Sequence, residues 1–161
     1  MKGVQLPALL VSAIALAGLM APPVVAEEIT FELWSRQDAS GPLRPGNVEK
    51  AAERLNAALE AEGSDTRVKV EVRQSPAPNF DDDALQLLRV YGIGEGPDMF
   101  IQAHEWICAF QQDGFVLNLE EYIAANPEPF EGIFPSLWES TKCQGERYAI
   151  PQDAEARMFF Y

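Results

Sequence analysis

The sequence is short of basic residues, of histidine and of cysteine. Its 161 residues include 12 Lys and Arg against 25 Asp and Glu, for a formal net charge of −13, together with one His and two Cys. Nucleic-acid binding relies on clustered Lys and Arg, and an anionic membrane surface repels an acidic protein, so we expect neither partner. The few His and Cys residues provide too few ligands for an ordinary zinc site. We expect no metal and no cofactor.

The rest of the composition is that of a globular protein. Apolar residues make up 47% of the chain and aromatic residues 10%, values that argue against intrinsic disorder. The length allows one domain, or part of a larger one.

The N-terminal apolar run, residues 8–21, is shorter than the stretch of about 20 residues that a bilayer-spanning helix needs. Lys2 is the only charge before Glu27, and small residues stand at 24–26. This pattern predicts a secretory signal peptide over residues 1–26, cleaved before Glu27. The alternative is a buried N-terminal helix. No Cys lies near the cleavage point, so we expect neither a lipid anchor nor membrane insertion after cleavage.

From Glu27 onward, short strand patterns alternate with helical ones, which predicts an α/β fold with a mostly parallel sheet. The first predicted elements are a strand at 29–34, a loop at 36–46, a helix at 47–62, a strand at 67–73, a helix that opens at the acidic triplet 81–83, and a fully buried strand at 98–101. We expect the triplet to stabilise its helix through the helix dipole.

The second half of the sequence is predicted to hold shorter elements. These are helices at 104–113, 119–125 and 134–140, an extended segment at 146–150, and a final strand at 157–161. Because that apolar strand has neither a cap nor a following turn, the sequence looks truncated.

Candidate binding residues lie where predicted strands end, since open parallel sheets bind ligands beyond the carboxyl ends of their strands. The candidates are Trp34, Arg36 and Gln37; His104, Glu105 and Trp106; and Gln152, Asp153, Glu155 and Arg157. Aromatic plates beside planar polar groups suit a sugar, whose ring has apolar C–H faces and an equator of hydroxyls. Structural roles stay open at this point: core packing for Trp106 and Trp138, helix capping for His104 and Glu105, and an ion pair for Glu155 with Arg157.

The two cysteines are candidates for a disulfide. A secreted destination permits oxidation, so we expect Cys108 to pair with Cys143. The alternative is two buried thiols.

Several motifs, taken in order, resemble the extracellular solute-binding proteins of bacterial ABC sugar importers. The motifs are Trp34-Ser35, Gly96-Pro97-Asp98-Met99-Phe100, His104-Glu105-Trp106, GFVLNL at 114–119, Leu137-Trp138-Glu139, and GERYAIPQDAEAR at 145–157. The resemblance implies a periplasmic protein of two lobes, monomeric when complete, that closes on a sugar or oligosaccharide and hands it to a membrane permease. Members are much longer than this chain, so residues 27–161 resemble the N-terminal part of the first lobe.

Two other functions compete with transport. In a secreted carbohydrate-active enzyme, paired carboxylates such as Glu105 and Asp153 act as acid and base on a glycosidic bond. In a sensory protein, the sugar-loaded form docks on a chemoreceptor. We favour binding without catalysis, so that no residue is assigned a catalytic role.

Overall fold

The computed structural model describes residues 27–37 and 42–154. Three predictions concern other residues and lie outside the described part: the signal peptide at 1–26, the site residues Glu155 and Arg157, and the final strand at 157–161. Among the described residues, no helix combines the length and the apolar character needed to cross a membrane.

A parallel sheet forms the centre of the described fold. Its strands are β1 (Glu28–Arg36), β2 (Arg67–Ser75) and β3 (Met99–Phe100), in the order β2, β1, β3. Strand β1 pairs with β2 along its whole length and with β3 at Leu33 and Trp34, in parallel in both cases. The predicted α/β fold with a mostly parallel sheet is confirmed.

Helix α1 (Leu43–Ala61) connects β1 to β2 and begins four residues before the predicted start. The sequence prediction treated Pro45 and Gly46 as loop residues. Pro45 is only the third residue of the helix, where the backbone N–H has no intrahelical partner and proline is therefore tolerated. The amide of Gly46 donates to the carbonyl of Pro42 at 2.9 Å and closes the first turn.

Asn56 of α1 fastens the helix to β2. Its side-chain amide donates to the carbonyl of Val68 at 2.8 Å, and its Oδ1 accepts from the amide of Val68 at 2.7 Å. Both backbone groups of Val68 are thus satisfied on the side of the strand that faces away from β1.

Helix α2 (Phe80–Gly92) connects β2 to β3 and carries much of the core. Ala84 and Leu87 are fully buried, and with Trp34 and Phe110 they form the central apolar cluster. Strand β3 is half-buried rather than fully buried as predicted. Among the described residues it has β1 on one side only, which leaves its other edge open.

Tyr91, near the end of α2, packs against the turn that precedes β3. Its hydroxyl donates to the carbonyl of Pro97 at 2.6 Å, and its ring stacks on Phe115 with centroids 5.2 Å apart. Burial raises the pKa of Tyr91 to about 12. Gly96 lies so close to this ring that an added Cβ would overlap it.

The remaining elements are short. They are a 3₁₀ turn at His104–Trp106, α3 (Ile107–Gln112), α4 (Glu120–Ala125), a 3₁₀ turn at Glu128–Phe130, α5 (Pro135–Ser140), β4 (Lys142–Cys143) and β5 (Glu146–Arg147). The extended segment predicted at 146–150 is a strand at its first two residues only. It pairs with β4 in an antiparallel hairpin that the sequence prediction missed. Gln144 and Gly145 both have positive φ, as a tight two-residue hairpin turn requires.

A disulfide joins Cys108 in α3 to Cys143 in β4, with Cα atoms 5.3 Å apart. The same hairpin is fixed by Arg147, which is 2% exposed and donates to the carbonyl of Trp138 and to Thr141 Oγ1. The disulfide thus ties the helix that follows β3 to the hairpin that leads toward residues 152–153.

Candidate functional site

The carboxyl ends of the three parallel strands meet at one edge of the sheet. Strand β1 ends at Arg36 and β2 at Ser75, which are paired across the sheet. The chain after β3 forms the 3₁₀ turn at His104–Trp106. Helix α2 starts beside this edge, and its first turn, Phe80–Asp83, contacts residues of β1, of α1 and of the chain after β3.

Arg44, in the first turn of α1, brings the 152–153 segment to this edge. Its Nε donates to Asp153 Oδ2 at 2.6 Å, and its backbone carbonyl accepts from Gln152 Nε2 at 2.6 Å. The Arg44 side chain is 10% exposed and that of Asp153 is 50% exposed. The buried guanidinium therefore anchors a carboxylate that keeps part of its surface open to solvent.

Phe80 connects this ion pair to the end of β1. The guanidinium of Arg36 lies 4.3 Å from the centroid of the Phe80 ring, and that of Arg44 lies 5.5 Å from it. Arg36 also donates to the carbonyl of Pro78 at 3.5 Å. Three of the predicted site residues, Arg36, Gln152 and Asp153, thus converge through two residues that the sequence did not single out.

The His104–Trp106 turn provides two exposed polar groups, His104 and Glu105. His104 Nδ1 lies 3.5 Å from Glu105 Oε2, and these side chains are 60% and 68% exposed. No side-chain hydrogen bond caps this described turn, so the capping role considered for the two residues is not seen. Trp106 is half-buried and donates from Nε1 to Asp81 Oδ1 at 3.0 Å.

Trp34 is a core residue and not the exposed plate that the sequence pattern suggested. It is 5% exposed, its Nε1 donates to Asp83 Oδ1 at 2.8 Å, and the guanidinium of Arg73 lies 4.7 Å from its ring. The sequence pattern placed Trp34 on the polar face of its strand. A parallel strand in the middle of an α/β sheet is covered on both faces, and consecutive residues Leu33, Trp34 and Ser35 are all buried.

The two remaining residues singled out in the sequence are Gln37 and Trp138. Gln37 is exposed just beyond β1, and its backbone amide donates to the carbonyl of Ser75 at 3.4 Å. Trp138 lies far along the chain between Phe130, with ring centroids 5.6 Å apart, and Arg147, 3.6 Å above its ring. Trp138 therefore has the packing role that its sequence pattern favoured.

The acidic triplet lies in the first turn of α2, as predicted, and two of its carboxylates have further contacts. Asn79 caps α2 by accepting from the amide of Asp82 at 2.8 Å. Asp81 and Asp83 instead accept from the two indoles of the edge. The helical period offered a signal, because Asp83 stands four residues before the buried Leu87 and so on the inward face of α2.

The described residues form a parallel α/β unit with planar polar groups at the carboxyl ends of its strands. No family model matches the chain. Over 68 residues, 42% of its length, the chain is 35% identical to a maltotriose-binding protein of Pyrococcus abyssi and spans 15% of that protein.

Solved structures share the fold. One is an extracellular solute-binding protein, family 1, of Alicyclobacillus acidocaldarius, with a TM-score of 0.51 and 20% identity over 76% of this chain and 27% of that one. Another is the sugar-binding protein MalE of Xanthomonas citri, with a TM-score of 0.52 and 19% identity over 76% of this chain and 28% of that one. The chain thus spans about a quarter of each structure. The resemblance to extracellular solute-binding proteins is confirmed, and so is the fold class, a parallel α/β unit that corresponds to part of these two-lobed proteins.

Proposed function

We propose that this chain is the N-terminal part of a periplasmic protein that captures a sugar or oligosaccharide, without catalysis, for delivery to an ABC importer. In this proposal residues 27–161 belong to the first lobe, and the binding site lies at the carboxyl edge of the parallel sheet. A second lobe would supply the opposite wall, since good pockets enclose most of a ligand's surface.

One observation carries the proposal: the polar groups gathered at the edge are those that bind hydroxyls. Asp153 is held by Arg44 through Oδ2, so its carboxylate is fixed in orientation while half of the side chain stays exposed. A carboxylate has several acceptor sites, and a fixed one accepts a sugar hydroxyl with little loss of entropy. His104 and Glu105 add exposed planar groups on the segment that follows β3.

The same contact favours binding over catalysis. A glycosidase requires one carboxylic acid that donates a proton to the leaving oxygen. The guanidinium of Arg44 already donates to the carboxylate of Asp153. This contact suits a carboxylate that accepts hydrogen bonds and not one that donates a proton. Similarity over 68 residues to a maltotriose-binding protein also supports saccharide capture, and makes maltotriose the first ligand to try.

The experiment uses the mature protein encoded by the whole open reading frame that contains this chain. Its melting temperature is measured alone and with a panel of saccharides that includes maltotriose, because a ligand that binds only the native state raises it by mass action. Glu105→Gln, at the proposed site, is compared with Glu95→Gln. Glu95 is also exposed, but it precedes β3 and so lies toward the amino ends of the strands.

We expect a saccharide to raise the melting temperature, Glu105→Gln to reduce that rise, and Glu95→Gln to leave it unchanged. No saccharide is expected to be cleaved on long incubation. A rise with an amino acid and with no saccharide would overturn the substrate class, and released reducing ends would favour the enzyme.

A further inference from the structure

Asp83 is a buried carboxylate that has not been placed in the binding site. It is 0% exposed, lies in the first turn of α2, and receives one hydrogen bond on each of its two carboxylate oxygens. Trp34 Nε1 donates to Oδ1 at 2.8 Å, and Gln102 Nε2 donates to Oδ2 at 3.1 Å. An unpaired charge is costly to bury. The two donors therefore indicate that the neighbouring side chains are arranged to stabilise the carboxylate of Asp83.

The second of these hydrogen bonds continues into the chain after β3. Gln102 Oε1 accepts from the backbone amide of Ala103 at 2.7 Å, and the 3₁₀ turn that carries His104 and Glu105 begins at the next residue. A continuous series of hydrogen bonds therefore runs from Trp34 of β1, through Asp83 at the start of α2, to the segment that carries the exposed His104 and Glu105.

We propose that Asp83 is a positioning residue for the sugar site: through Gln102 it fixes the backbone from which His104, Glu105 and Trp106 project. Trp34 contributes by holding Asp83 rather than by touching the ligand. This inference rests on the proposed function, because the turn matters for binding only if the edge is the sugar site.

The direction of the hydrogen bonds explains why this position requires a group that accepts twice. Asn at position 83 would accept from Trp34 through its oxygen and turn its amide N–H₂ toward Gln102. Gln102 would then have to rotate to accept through Oε1, which would turn its own N–H₂ toward the amide of Ala103, a second donor. One buried donor would lose its acceptor whichever way the amides are set.

The test compares Asp83→Asn with Asp82→Asn in the mature protein from the whole open reading frame. The two substitutions remove the same charge from the same helical turn, but Asp82 is exposed and its side chain accepts only from Asn79 among the described contacts. Amide hydrogen exchange at Ala103 and at residues 104–106 is followed without ligand. The indole N–H resonance of Trp34 is followed in protein labelled with ¹⁵N-tryptophan.

Asp83→Asn is expected to raise the exchange rate at Ala103 by about tenfold, as the loss of one part-buried hydrogen bond does. It should also shift the Trp34 indole resonance upfield, because a carboxylate is the stronger acceptor. Asp82→Asn is expected to change neither. If Asp83→Asn fails to fold, Gln102→Ala replaces it. This substitution keeps the hydrogen bond from Trp34 to Asp83 and removes the link between Asp83 and Ala103, that is, the donor to Asp83 Oδ2 and the acceptor of the Ala103 amide.

Saccharide affinity then separates this inference from the proposed function. We expect the affinity to fall about tenfold in Asp83→Asn or Gln102→Ala, measured at a temperature where wild-type and variant proteins are fully folded. Unchanged exchange at residues 103–106 would overturn the positioning role even if sugar binds. Altered exchange with no sugar binding by the wild-type protein would instead overturn the proposed function, and with it the role of Asp83 in binding.

Discussion

Arg44 and Asp153 are 109 residues apart in the sequence, yet Arg44 Nε donates to Asp153 Oδ2 at 2.6 Å. The contact joins the first turn of α1 to the last part of the chain that the structure describes. It brings Gln152 with it, through the carbonyl of Arg44. Arg44 therefore holds the third predicted binding segment through both its guanidinium and its backbone carbonyl.

A double-mutant cycle tests this relationship. We expect Arg44→Gln and Asp153→Asn each to lower the free energy of unfolding, and the double variant to lower it little more than the worse single variant. The coupling energy should be about 1 to 2 kcal/mol, as for contacting charged groups of which one is partly exposed. Urea denaturation of the four proteins measures it. Additive losses of unfolding free energy would show that the two side chains do not interact in solution. Arg54→Gln, on the exposed surface of α1, serves as the control and should show no coupling to Asp153→Asn.

The Cys108–Cys143 bridge predicts that the denatured, unreduced protein has no reactive thiol. Closing a loop of 35 residues stabilises the native state by about 3 to 4 kcal/mol in the chain-entropy model, so reduction should lower the melting temperature. Thiol titration in denaturant, before and after reductant, decides the pairing. Two reactive thiols before reduction would contradict it, and the Cys108→Ser/Cys143→Ser variant should melt like the reduced protein.

Gly96→Ala should destabilise the fold. The new Cβ would overlap the ring of Tyr91, which stacks on Phe115 and so has little room to move; forced packing of this kind typically costs about 1 to 3 kcal/mol. Gly92→Ala is the matched control, because it ends α2 and its Cβ meets nothing within 4 Å. In thermal melts, Gly96→Ala should therefore have a lower melting temperature than Gly92→Ala. Equal melting temperatures would show that the turn before β3 is looser than described.

Alkaline stability should depend on Tyr91. Its pKa is raised to about 12 by burial, from an ordinary value of 10.0, so the native state keeps the proton at pH values where the unfolded chain releases it. The resulting stability is fully present below pH 10.0 and is lost as the pH rises toward 12. Tyr148, whose pKa is raised chiefly by its hydrogen bond to Glu146, acts in the same direction. The difference in the free energy of unfolding between wild-type protein and Tyr91→Phe, measured as a function of pH, therefore isolates the contribution of Tyr91. If the two proteins lose stability in parallel between pH 10 and 12, the buried environment assigned to Tyr91 is wrong.

The signal peptide prediction is tested by secretion. Expressed in a bacterium from its own start codon, the protein should be recovered from the periplasm with Glu27 as its first residue. N-terminal sequencing measures this directly, and a retained Met1 would favour the buried N-terminal helix.

Local patterns were sufficient to predict the larger elements. Alternating valines predicted β2, and the stop at Gly63 predicted the end of α1, where the structure has φ of +78°. The β4–β5 hairpin was missed because its strands are two residues each, too short for any alternation to show. The start of α1 was missed because proline and glycine usually break helices, whereas the first turn tolerates both.

The sequence predicted which segments come together at the carboxyl edge, but not the residues that join them. The rule that ligands bind at the carboxyl ends of parallel strands correctly selected segments that come together. It could not identify Arg44, Phe80 or Asp83, because their contacts are made across long separations in the chain. Trp34 was misjudged for a related reason: whether the polar side of a strand is covered depends on helices elsewhere in the sequence.

Calorimetric titration of the mature protein from the whole open reading frame tests the central claim most directly. The account predicts saturable binding of one saccharide per molecule, with no turnover, weakened at least tenfold by Asp153→Asn and unchanged by Asp65→Asn, an exposed residue that precedes β2. Absence of heat with every saccharide in the panel, or equal affinity in the two variants, would contradict a sugar site at the carboxyl edge of this sheet.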